Sequence, residues 1–329
     1  MFQKLISAAI ITVSSTIVFA ENEFLQNQKV IGSAPSGEFG VSVDIDGDAR
    51  RGFALIIGER FSGLAHIYES DGEEWTLTSM LKGDQSGEFG RAVAIDGNWA
   101  VVGSYVQDLK GAGDAGLATL YQRGENGWVL HSYIEEPEFG TNHRFGHSVA
   151  ISGNYMVIGS DGTSGQSGRA YVYELGEDVT LLTQLRPPYD KGGRFGQKVR
   201  ISDNIIGVLE PDAYDGVVWL YDLNLIESEV TDYHGYFWGH EHVGDSFRID
   251  SFDLDSSRII VGNYRYSNQR GRAAIGQWEE DFYFPIKSAS IINADNGADW
   301  DQFGLDVQID GNTALVSAQD DHFTNNAGS

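Results

Sequence analysis

Cysteine is absent from all 329 residues. That absence excludes disulfide frameworks, thiolate zinc sites, cysteine nucleophiles and a lipid-bearing N-terminal cysteine. Basic residues are scarce: 22 Lys and Arg stand against 48 Asp and Glu, a formal net charge of −26. So acidic a chain is not suited to wrapping nucleic acid, whose affinity comes mostly from Lys and Arg on phosphate, nor to docking on anionic lipid. Past residue 20 no apolar run is long enough to span a bilayer. No helical periodicity there lasts beyond two turns. Catalytic signatures are missing too. There is no Gly-x-Ser-x-Gly elbow, since Gly165-Gln-Ser-Gly168 has the wrong spacing. His240-Glu241-His242 is not His-Glu-x-x-His, and no Gly-x-x-x-x-Gly-Lys phosphate loop occurs. Carboxylates are too numerous for one pair to stand out as a glycosidase dyad. Disorder is excluded in turn, because aromatic residues make up 12% of the chain.

The first twenty residues, MFQKLISAAIITVSSTIVFA, place Lys4 ahead of an apolar run from Leu5 to Phe19 and end on the small residue Ala20. This is the pattern of a secretory signal peptide, and it implies export to the periplasm, cell surface or medium. The alternative, a retained anchor, is disfavoured because the run falls short of the ~20 residues a spanning helix needs. The mature chain is then residues 21–329, with no membrane span.

What the chain does have is repetition. Phe-Gly followed by alternating apolar residues recurs at Phe39-Gly40, Phe89-Gly90, Phe145-Gly146, Phe195-Gly196 and Phe303-Gly304, with a degraded copy at Val243-Gly244. These anchors lie 50, 56, 50, 48 and 60 residues apart, as loop insertions into a fixed unit would make them. Each unit reads as four extended pieces. The first is the Val-x-Ile alternation, closed by a tight turn such as Asp96-Gly97-Asn98. The second is an apolar run ending in glycine, such as Ala100–Gly103. The third is Gly-x-Ala-x-x-Tyr, as in Gly116–Tyr121, and the fourth alternates aromatic residues or leucine.

A lone four-stranded sheet has two faces to cover, and stacking neighbours radially covers both. The expected fold is all-β: a propeller of about six four-stranded blades with the Phe-Gly strands innermost, forming one domain over 21–329. Phe24–Ile31 precedes the first anchor as Trp75–Leu81 precedes the second, so it reads as a fourth strand completing an incomplete last blade. A truncated piece of a larger ring is the alternative.

Phe-Gly at each unit start, the Val-x-Ile-Asp-Gly strand and turn, the Val101–Ser104 run and the Gly-x-Ala-x-x-Tyr strand together resemble the FG-GAP repeat of integrin α-subunit propellers and of secreted bacterial proteins. The resemblance implies a binding or adhesion module more than a particular activity. It also implies calcium loops. The nearest match is Asp44-Ile-Asp46-Gly-Asp48, where alternate carboxylates could hold a hard cation, although the glycine comes early; an acidic hairpin turn is the competing reading. Asp250, Asp253 and Asp255 are a weaker candidate.

Up-down strand order puts the linkers between units and the loops between second and third strands on one face. The long segments, Glu210–Gly216, Asp232–His242, Asn263–Gly271 and Asn293–Gln302 among them, all fall there, so this face is the expected binding surface. Within it Tyr233, Tyr236, Phe237, Trp238, His240 and His242 are the candidate ligand contacts, by stacking on sugars or anchoring a protein. Packing of a fourth strand, or a metal held by the histidines, are the other readings. The expected function is an exported, non-enzymatic module binding a protein or glycan. A propeller hydrolase or lyase acting on polysaccharide is the alternative.

Overall fold

Period-two alternation in the Val-x-Ile segments gives strands with one face buried, and the wholly apolar runs that follow are buried on both faces. Trp99–Ser104 is buried at every position. In the computed structural model the described residues are 16–17, 30–34, 36–48, 52–84, 86–188, 192–227, 233–244, 247–255, 257–278, 289–294, 299–311 and 313–318. They form six antiparallel sheets, five of four strands in simple sequence order, consistent with a propeller. The first holds Phe39–Asp48, Gly52–Glu59, Leu64–Ser70 and Thr76–Lys82. The second holds Ala92–Asp96, Trp99–Ser104, Leu117–Gly124 and Gly127–Ile134. The third runs through Phe145–Ser152, Tyr155–Ser160, Arg169–Glu174 and Thr180–Leu185. The fourth has Lys198–Ser202, Ile205–Glu210, Val217–Asp222 and Gly235–Trp238. The fifth has Ser251–Asp255, Arg258–Asn263, Arg272–Gln277 and Ala289–Ile292. The sixth has Val307–Asp310 and Thr313–Ala318, with the backbone of Thr16–Ile17 paired to Ala318 and Ser317. Among the described residues no helix is long and apolar enough to cross a membrane.

The chain divides into two compact units, residues 23–154 forming the body of one and 155–329 that of the other. In the first, Ile56, Ile67, Phe89, Val93, Val102 and Tyr121 share a core between neighbouring sheets. In the second, Leu209, Val218, Phe237, Phe252 and Val261 fill the space between the fourth and fifth sheets. Ile260, Phe303 and Val307 belong to the core between the fifth and sixth.

The Phe-Gly anchor joins one sheet to the next. Phe145 is fully buried, its amide donates to the Ala115 carbonyl at 3.0 Å, and it bridges Gly116 in parallel. Gly146 follows at φ 83°, in the left-handed region that side chains resist. Its carbonyl lies so close to Gly103 that a methyl there would sit 2.0 Å from the oxygen. Gly58 meets Gly90, and Gly262 meets Gly304, in the same way.

The fifth unit does not begin at Val243-Gly244, as the sequence suggested. Its anchor place is taken by Ile249, whose amide donates to the Asp215 carbonyl at 2.9 Å and against which Gly216 packs. The turn decides the register. Asp255 Oδ1 accepts from the amides of Ser257 and Arg258, so the first strand ends at Asp255, six residues past Ile249, one fewer than separates Phe89 from Asp96 or Phe195 from Ser202. The Phe247-x-Ile249 alternation imitates a strand without being one.

The signal peptide expected over 1–20 lies outside the described residues, apart from the backbone of Thr16–Ile17. The closing strand expected over Phe24–Ile31 also lies outside them, except Val30 and Ile31, which are not in a strand. Gly103→Ala should lower unfolding stability by about 1–3 kcal/mol through overpacking. Gly176→Ala, where the added methyl meets nothing closer than 3.5 Å, should leave it nearly unchanged; urea titration of both variants measures the difference.

Candidate functional site

The aromatic segment forms the outermost strand of the fourth sheet. Its register sets Trp238 beside Val217, Phe237 beside Val218 and Tyr236 beside Trp219. Strand alternation sends Phe237 wholly into the core, while Tyr236 and Trp238 turn to the opposite face and stay half-buried. There the rings form a stripe. Trp219 packs on Tyr233 at 4.8 Å and on Tyr236 at 5.9 Å between centroids, and Tyr214 packs on Trp238 at 5.8 Å. Tyr233 is 38% exposed and Tyr214 50%. Polar tips are held: the Tyr236 hydroxyl donates to Glu241 Oε2 at 2.9 Å, Trp219 Nε1 donates to Glu210 Oε2 at 2.8 Å, and Trp238 Nε1 donates to the Tyr214 carbonyl.

Gly239–His242 is a helical turn. The His242 ring stacks on Phe237 at 5.1 Å, and its Nδ1 accepts from the Trp238 amide at 3.1 Å. His234 is buried and its Nδ1 accepts from the Asp222 amide. The His240 side chain lies outside the described residues. Among the described residues no three His, Asp or Glu side chains group as metal ligands would.

The acidic turn of the first unit holds backbone. Asp44 and Asp46 each accept at 2.8 Å from the amides of Ile95 and Gly97 in the next sheet. Asp96 does the same for Gly153 at 2.6 Å, and Asp253 for Ile309 at 2.9 Å. The first strand is an edge, and these carboxylates satisfy amides its own sheet leaves open. The Asp48 side chain lies outside the described residues. A groove of about 930 Å³ opens at this short-turn end of the first two sheets, lined by Asp46, Glu69, Glu73, Glu74 and Thr78, with Glu69 paired to Arg123 at 2.8 Å.

At the long-loop end of the second unit an ionic row appears that sequence inspection missed. Arg194 and Arg248 both pair with Asp212, at 2.6 and 3.2 Å. Asp250 takes Arg248 at 3.0 Å and Arg265 at 3.4 Å, and Arg270 holds Asp299 at 2.7 Å. These residues are scattered along the chain, so no local pattern announces them.

Two buried carboxylates occupy one repeat position, the last residue of the second strand, where other units carry Ser104, Ser160 and Asn263. Burial pushes the Glu59 carboxyl up. Hydrogen bonds from the Ser33 amide, Ser62, His66 and the Ser33 hydroxyl outweigh that and hold it down at about 2. Glu210 is left with its pKa raised by burial, against which the Trp219 bond works. The linker glycines Gly37 and Gly193 pass over these carboxylates, with room for a Cβ at neither. Aligning the units would have exposed both acids.

The all-β architecture of recurring four-stranded sheets joined by Phe-Gly anchors defines a repeat-built class of protein. The chain carries FG-GAP repeats: that family's model matches residues 81–121, 128–173 and 287–329, each enclosing one anchor, Phe89, Phe145 or Phe303. No curated protein sequence matches the chain. Among solved structures it is similar to U3-55K, with a TM-score of 0.50 and 12% identity over 84% of this chain and 80% of that one. The GH74 enzyme of Niastella koreensis gives a TM-score of 0.49 and 13% identity over 84% of this chain. The chain spans 43% of that enzyme's length. At these identities the likeness concerns fold alone.

The two buried acids should respond to pH with opposite sign. With its folded pKa near 2 against an ordinary 4.5, Glu59 stabilises fully above about pH 4.5, and that stabilisation disappears as pH falls towards 2. Glu59→Gln should cost about 1–3 kcal/mol at pH 7 and flatten the acid limb of a melting-temperature profile. Glu210→Gln should melt at or above the parent at pH 7, because the amide has no ionisation to resist burial.

Proposed function

We propose that the protein is an exported, non-enzymatic binding module whose sheets close into a propeller of about six blades, and that it engages a glycan or protein through the long-loop face. The observation that carries the reading is the stripe of half-exposed rings, in which Tyr233 and Tyr236 lie on the buried Trp219 and Tyr214 packs on Trp238. Each ring offers an apolar face, and the held polar tips fix its orientation, the combination that enriches Tyr and Trp at binding surfaces. The four residues stand on a strand and a loop tied to it, so little ordering entropy opposes binding. Export follows from the signal-peptide pattern of residues 1–20.

The purified protein, immobilised and screened against glycan and protein arrays, tests this. A Tyr233→Ser/Tyr236→Ser double variant should lose at least tenfold in affinity, equivalent to about 1.4 kcal/mol, while still melting cooperatively well above the assay temperature. Affinity retained in that variant would remove the stripe from the reading, and absence of any ligand would remove the reading itself. Mass spectrometry of protein recovered from the producing cell should find an N-terminus at Glu21.

A further inference from the structure

The geometry points to a subsite for a neutral glycan at the long-loop end of the fourth and fifth sheets, built from the rings of Tyr214, Tyr266 and Trp300 beside the Arg–Asp row. This rests on the binding reading above and names its ligand class.

Three observations converge on this patch. First, three large rings are left in water on three separate segments: Tyr214 is 50% exposed, Tyr266 37% and Trp300 55%. Rings this exposed on tied loops mark contact surfaces. Second, the segments that bear them are locked together. The Asp215 carbonyl receives the Ile249 amide, and the Trp300 amide donates to the Asn268 carbonyl at 3.1 Å. Gln302 reaches Gln269 through a side-chain bond of 2.8 Å. Tyr266 lies under the buried Arg272 guanidinium at 3.7 Å, with Phe247 on the same cation at 4.7 Å. Tyr214, Asp215, Asn268 and Trp300 all stand at positive φ. Such backbone is retained only where its surroundings over-determine it, so the rings are presented in a fixed arrangement.

Third, the polar groups between the rings are already charge-matched. Asp212 is shared by Arg194 and Arg248, and Asp250 by Arg248 and Arg265, while Arg270 has Asp299 and Arg194 also faces the buried Asp161 at 4.0 Å, so four guanidiniums meet four carboxylates. A row so paired presents little net charge to an ion. It still presents spare guanidinium N–H donors and carboxylate lone pairs. A ligand that supplies both donors and acceptors without charge, together with apolar C–H faces for the rings, is a neutral saccharide. A polyanion would meet the repulsion of a chain carrying −26. A basic protein would find no unpaired carboxylate among those named in this row.

The test is calorimetric titration of the full chain with neutral polysaccharides (dextran, mannan, galactan), a polyuronate and chitosan oligosaccharides, beside a protein array. A neutral glycan should bind, with affinity changing less than about twofold between 50 and 500 mM salt, since the ligand carries no charge to be screened. Tyr214→Ala and Trp300→Ala should each weaken it about tenfold, the usual scale for an anchoring ring, with melting temperatures held. Tyr266 is left intact because it packs on Arg272. Binding of neutral glycan unaltered in both variants overturns the subsite. Binding of polyuronate, chitosan or protein alone overturns it too, while leaving the binding-module reading in place. Silence across every array overturns both.

Discussion

The contact on which this fold depends is backbone against backbone. Where Gly103 meets Gly146, or Gly58 meets Gly90, successive sheets approach until no side-chain carbon fits between them. That approach lets the anchor phenylalanine drop into the core and lets its amide find a carbonyl on the preceding sheet. Hydrophobic burial supplies most of the driving force. The glycines set the register in which it is spent, because a slip by one residue would place a Cβ against an oxygen.

A second constraint comes from strand edges. The first strand of each unit has one side paired and one side open, and unsatisfied amides there would be costly or would invite foreign strands. Asp44, Asp46, Asp96 and Asp253 close that side from the neighbouring sheet. Aspartate suits the task because it is short, acceptor-only and strongly hydrogen-bonding when ionised. Asp44 and Asp46, which the sequence offered as ligands of a hard cation, each give one oxygen to an amide across the sheet boundary, a contact that no local spacing encodes.

Much of the architecture was legible beforehand because it is periodic. Strand pattern, turn glycines and anchors recur, and repetition averages out the ambiguity of any single segment. The aromatic stripe was legible as composition, and its position on a fourth strand followed from counting. What escaped were features fixed by tertiary contact. The helical turn at Gly239–His242 breaks an extended reading because His242 finds Phe237 and the Trp238 amide. The fifth anchor was misplaced because Phe247 and Ile249 continue a burial pattern across a boundary set by the Asp255 turn. The Arg–Asp row unites residues from 194 to 299, a separation over which sequence carries no proximity signal.

One junction breaks the glycine rule twice. In the fourth sheet Leu209 stands where the first, second, third and fifth have glycine, paired with Val218 as Gly103 is with Ala118. In the fifth, Asp250 makes the amide bond that Gly90 and Gly304 make elsewhere. Both halves of the close contact are lost at the same joint, and Phe247, Phe252 and Leu254 fill it instead. A seam mortared with side chains tolerates drift that a glycine seam forbids, since side chains can be exchanged for others of similar bulk. Novelty in this molecule has collected at that seam: the displaced anchor, the ring-bearing loops and the ion-pair row all border it. A repeat protein that keeps glycine at most of its described joints gains, at this one, a place at which its surface is free to diverge.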